Sequence, residues 1–150
     1  MANYARIAVA RSAGGFTVSS NAASLTAIAA FAAMAGGAGG TVTHFGLGTD
    51  LSGAGNLLLF GTVTPNLAVV AGVTPKLDTG TTITQAASDG MSTAAANALL
   101  LLLLNNTDWA NIGDAGGLQN SAAAGSFYLS LHTSSPGEGG NQTTNEIAYT

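Results

Sequence analysis

Turn residues punctuate this chain at intervals of about 8–12 residues, and the runs between them are short and largely apolar. Short runs with period-two alternation read as strands. Tyr4–Arg11 sets Arg6, Ala8 and Ala10 against Ile7, Val9 and Arg11, and Ala13-Gly14-Gly15 turns the chain after it. Phe16–Ser19 is a second strand. Leu25–Met34 is alanine-rich, and Leu25, Ile28 and Phe31 fit a helical face, but its strand neighbours and the abrupt stop at Gly36–Gly40 favour a strand. Thr41–Gly48 alternates, Thr49–Gly55 is a loop, and Leu57–Thr64 ends at Pro65-Asn66. Leu67–Val70 follows, then Val73–Leu77, whose Pro75 suits an edge or bend, then Thr81–Thr84. Phe127–Thr133 alternates most clearly, with Phe127, Leu129 and Leu131 against Tyr128, Ser130 and His132.

One segment breaks the pattern. Ala94–Leu104 contains six consecutive leucines, Leu99–Leu104, and Ala and Leu are strong helix formers. Ser92 or Thr93 can cap its start and Asn105-Asn106 its end, which predicts a helix over 93–104. Trp109 and Ile112 are the expected anchors of the loop beyond it. The expected architecture is a mainly β single domain over 1–150, a β-sandwich or jelly roll with one helix.

Charge narrows the function classes. Only 7% of residues are charged, against about 25% in ordinary soluble domains. Arg6, Arg11 and Lys76 are the sole cations, and the net charge is -4. Nucleic-acid binding needs a basic footprint, so it is not expected, nor is attraction to anionic lipid. The leucine run is too short to span a bilayer, and no membrane partner is expected. With no cysteine there is no disulfide and no thiolate chemistry. A neutral surface of small side chains can be covered by other subunits at little desolvation penalty, which points weakly to assembly.

Candidate chemistry is thin. His44 and His132, with Asp50 or Asp114, are the only conceivable metal set, and neither histidine has an acidic residue at close ligand spacing; hydrogen-bonding histidines are the better reading. No G-x-S-x-G elbow occurs, and Gly46-x-Gly48 is not followed by Gly-Lys-Ser/Thr. Thr-Val-Thr at 41–43 and 62–64 and Thr-Ile-Thr at 82–84 read as the wet faces of alternating strands. No catalytic residue, cofactor or metal is expected. The surface expected to meet a partner is Leu99, Leu100, Leu101, Leu102, Leu103 and Leu104, because leucine on every side of a helix leaves no face suited to water.

Gly125–Thr150, GSFYLSLHTSSPGEGGNQTTNEIAYT, resembles the N-terminal half of a family of small tailed-phage virion proteins described as tail-fibre or head-decoration proteins. In that family a strand ending in Leu-His-Thr, a Pro-Gly-Glu turn and an Asn-Glu-Ile-Ala-Tyr-like stretch precede Tyr-Ala-Arg, which here is Tyr4-Ala5-Arg6. Thr41–Leu77 resembles the family's C-terminal half, so the order looks rotated. That implies a circular permutant whose parent starts near Met91, with Gln85–Gly90 (QAASDG) an engineered linker joining the parental termini. The resemblance implies a non-enzymatic virion protein, a capsid decoration or cement protein packed as a homotrimer against other virion proteins. The alternative is a tail-fibre or tail-tip module whose loops Thr49–Gly55 or Ser134–Gly140 touch a receptor.

Overall fold

A computed structural model describes residues 3–85 and 90–147; most of the expected linker, 86–89, lies outside them. Among the described residues there are nine strands and one helix. In chain order these are β1 (Ile7–Ala10), β2 (Phe16–Ser19), β3 (Ala22–Leu25), β4 (Ala29–Ala30), β5 (Gly40–Gly48), β6 (Leu57–Val69), β7 (Lys76–Leu77), β8 (Thr82–Thr84), α1 (Thr93–Asn105) and β9 (Ser126–His132). The fold is mainly β and sandwich-like, as the turn spacing predicts.

The principal sheet runs β1-β9-β5-β6, all antiparallel. Alternation decides its faces. Phe127, Leu129 and Leu131 of β9 lie beside Val9, Ile7, Leu47 and Phe45 on one apolar face. That face packs on a smaller sheet, β2-β3-β8, which contributes Phe16, Ala23, Leu25 and Ile83. Phe16 meets Phe127 edge-on at 6.4 Å between ring centroids. The void left between the sheets is ≈ 10 Å³, at the lower limit for one water. Close packing of large side chains therefore holds the two layers together.

Helix α1 forms as its caps predict. The Ser92 side chain accepts from the Ala95 N–H, and Asn106 ends the helix in the left-handed region at φ 54. Ala96, Leu100 and Leu104, spaced four apart, form its buried stripe, and α1 packs on β2 and β3. The helix has no basic residue in its last turn. Arg11, just past β1, takes that role: its Nε donates to the Leu103 carbonyl and one Nη to the Leu102 carbonyl, both at 2.6 Å.

Three expectations are corrected. The two strands expected on either side of Pro65-Asn66 are one, β6. It lies at the sheet edge, and Pro65 falls in the register irregularity facing Val42–His44, so its missing N–H disturbs no ladder. The strand expected over Leu25–Met34 reduces to the end of β3 and the two residues of β4. Beyond β4 single bonds replace a ladder, from Phe31 N to the Pro75 carbonyl and from Met34 N to the Val73 carbonyl. Ile112 does not anchor its loop. It stands exposed between left-handed Asn111 and Gly113, while Trp109 is half-buried and bridges to Leu118. No described helix is long and apolar enough to cross a membrane.

Candidate functional site

The outer face of the principal sheet is polar at its centre and roofed by segment 141–147. Ser130 and His132 of β9 point that way and are fully buried. His132 Nε2 lies 2.9 Å from Ser130 Oγ, and Nδ1 lies 2.8 Å from the Thr144 carbonyl. A carbonyl partner makes Nδ1 the donor, so Nε2 accepts from the serine. The pair resembles half of a nucleophile–base arrangement, but the group orienting the imidazole is a backbone oxygen. Burial lowers the His132 pKa, the Thr144 bond opposing it, and keeps the ring neutral. The pair ties the roof to the sheet. His44 stands opposite His132 on β5 and bonds the Thr43 hydroxyl at 2.8 Å. Among the described residues no three His, Cys, Asp or Glu side chains gather as a metal set.

Two glycines make room for this roof. A Cβ on Gly46 would stand 2.6 Å from His132 Nε2, and one on Gly48 would stand 2.1 Å from Gln142 Cδ. Gln142 fills that space, accepting from the Asp50 N–H at 2.9 Å and donating to the Asp50 carbonyl at 3.1 Å. Gly46-x-Gly48 is therefore a slot for buried polar side chains on a strand.

Beside it lies a charged cluster that no local pattern announces. Arg6 is buried and grips Glu146 in a bidentate pair, Nε to Oε1 at 2.8 Å and Nη2 to Oε2 at 2.7 Å. Its remaining donors reach the carbonyls of Asp50 at 2.9 Å and Gly53 at 2.8 Å. The Tyr4 hydroxyl donates to Glu146 at 3.0 Å and accepts from the Leu131 N–H at 2.9 Å. Burial, then the Glu146 charge, pushes the Tyr4 phenol well above its usual range; the Glu146 hydrogen bonds hold Arg6 charged. The cluster fixes the Thr49–Gly55 loop and leaves Leu51 exposed beside it. Sequence reasoning missed it because its partners lie 140 residues apart. The one available hint was an arginine within an apolar alternation in a chain with three cations.

The expected partner surface divides. Leu100 and Leu104 are buried, and Leu103 packs against the same core. Leu99, Leu101 and Leu102 are half-buried. Larger apolar exposure lies elsewhere, at Ile28 (59%), Leu51 (57%) and Val70 (53%), with Leu58 and Phe60 on edge strand β6.

In comparisons with known proteins, the family model described as podophage GP4 fiber I protein gp80 matches residues 1–85, more than half of the chain. The match gives the rotated chain order no support. No curated protein and no solved structure matches.

Proposed function

We propose, from the premise that the chain belongs to the podophage GP4 fiber I protein gp80 family and is a virion structural protein, that it is a fibre subunit working without catalysis. It packs against copies of itself, as a homotrimer, and against other virion proteins. The observation that carries this reading is the family match, whose description names a fibre. It favours the fibre over capsid decoration, the other location expected from the sequence.

Two features support packing as the mode of action. The exposed apolar side chains of Ile28, Leu51 and Val70 stand on a surface almost without charge. The half-buried Leu99, Leu101 and Leu102 add apolar area that a neighbour can cover. Each copy then contributes modest apolar contact, and attachment at several points multiplies it. The fixed Thr49–Gly55 loop suits contact with a further partner, because a loop already ordered loses little entropy on binding.

Light scattering in solution, with labelled antibody on intact particles, tests the proposal. The expected mass is three times the 14.6 kDa of one chain, and the expected label lies on fibres. A monomer at every concentration overturns self-association, and label spread over the capsid facets overturns the fibre location.

A further inference from the structure

We infer that the Ser130 hydroxyl is a proton-operated switch that keeps segment 141–147 seated on the principal sheet when His132 takes up a proton. In one position the hydroxyl serves His132, and in the other it serves the Gly46 carbonyl of β5. Both side chains are fully buried. Ser130 Oγ lies 2.9 Å from His132 Nε2 and 3.4 Å from the Gly46 carbonyl. A hydroxyl carries a single hydrogen, so it serves one of these acceptors at a time.

The two protonation states differ in where that hydrogen goes. With the ring neutral, Nδ1–H donates to the Thr144 carbonyl and the Ser130 hydroxyl donates to Nε2. A proton on Nε2 turns that atom into a donor. Ser130 Oγ then accepts from it, and the serine's own hydrogen turns to the Gly46 carbonyl. Neither side chain is left unpaired, so the penalty for an orphaned buried donor does not arise. The bond from Nδ1 to Thr144 survives and gains charge assistance, which strengthens it. The tie between roof and sheet therefore outlasts the titration. The roof in turn holds the Thr49–Gly55 loop. The Gln142 N–H donates to the Gly55 carbonyl at 3.1 Å, and its side chain binds both backbone groups of Asp50. The loop keeps its place in acid by the same route.

The surroundings set the balance of charge. Burial opposes a proton on His132 most strongly; the Thr144 carbonyl and Glu146 of the roof favour it, and Arg6 and His44 oppose it. His44, opposite on β5, has a different setting. The Thr43 hydroxyl donates to the Thr133 carbonyl at 3.0 Å, so it accepts from His44 Nδ1. His44 therefore acts on the switch through its charge and not through a shared hydrogen. Gly46 gives the hydroxyl its room to turn. A Cβ there would stand 2.6 Å from His132 Nε2 and 2.8 Å from Ser130 Oγ, inside the space where ring and hydroxyl meet.

This inference goes beyond the fibre proposal and does not rest on it, because every group of the switch belongs to one chain. The test is NMR of the isotope-labelled full chain, taken from neutral pH into acid in a His44→Gln background, where His132 is the sole histidine. The His132 imidazole is expected to titrate while the amides of Gln142 and Ile147 stay protected from solvent exchange. The Gly46 carbonyl carbon is expected to shift with the same midpoint, as a carbonyl does on gaining a hydrogen bond. Ser130→Ala leaves the imidazolium Nε2–H without an acceptor. Its midpoint should fall by about one pH unit, a tenfold loss of proton affinity, and the roof amides should lose protection as the ring titrates. The carbonyl measurement needs no substitution at Ser130, so it decides the matter if that variant does not fold. Three outcomes overturn the inference. The first is that the roof amides of the His44→Gln chain lose protection in step with His132 protonation, or that this chain unfolds before the ring titrates. The second is a Gly46 carbonyl that does not follow the titration, and the third is a folded Ser130→Ala variant with an unchanged midpoint.

Discussion

Residues 3–85 and residues 90–147 play unlike parts in one fold. The first region holds eight of the nine described strands and falls within the family match. The second holds the helix, a long irregular stretch and one strand, yet that strand, β9, lies between β1 and β5 in the principal sheet. Among the described strands β1 pairs with β9 alone, and β9 supplies Phe127, Leu129 and Leu131 to the core. Strand content and structural importance are therefore divided unequally. A region can carry most of the strands and still lack the one that joins them.

Removing the second region should have the largest effect. A fragment of residues 1–85 loses β9, α1 and the roof over the outer face together. The expected result is no cooperative thermal transition by circular dichroism and collapsed amide dispersion by NMR, where the full chain shows both. A fragment that melts cooperatively would break the comparison and make the first region a fold in its own right.

Both arginines belong to the first region and both bind groups of the second. Arg6 holds Glu146 within a largely buried pair, so Arg6→Ala leaves a carboxylate without its partner, and a loss of about 3–5 kcal/mol is expected. Arg11 binds exposed and half-buried groups at the end of α1, and Arg11→Ala should lose about 1–2 kcal/mol. Urea unfolding of the two variants measures the contrast. Equal losses would mean that the charged cluster is no stronger a joint than the helix end.

Much of this fold is legible in the sequence where structure is local. The alternation in 127–133 gives β9 its two faces, and Ser92 and Asn106 mark the ends of α1. What escapes is set by distant partners. β6 can pass through Pro65 because among the described strands it ends the principal sheet, and nothing at Pro65 itself encodes that position. The run Leu99–Leu104 names a helix, but only the packing on β2 and β3 decides that Leu100 and Leu104 face inward. Of the six leucines expected as a partner surface, Leu100 and Leu104 face inward and the other four are half-buried. The Arg6–Glu146 cluster joins segments far apart in sequence, and no spacing rule reaches it.

The smallest effect expected concerns pH and reports on the second region. His132 of β9 binds Ser130 and the Thr144 carbonyl, so its titration follows the seating of the roof. Burial depresses its folded pKa below its unfolded value of about 6.5. Between the depressed value and 6.5 the unfolded chain takes up a proton that the native chain does not. Stability from the neutral ring is therefore complete above about pH 6.5 and declines as pH falls through that window, by at most about 1.4 kcal/mol per pH unit for one group. A His132→Asn variant lacks this titration. The stability gap between parent and variant should narrow as pH falls from 7.5 towards the depressed pKa, by about that slope at most. A gap that stays constant across the window would show that His132 is protonated as readily in the folded chain as in the unfolded one, and that the roof does not exclude water from β9.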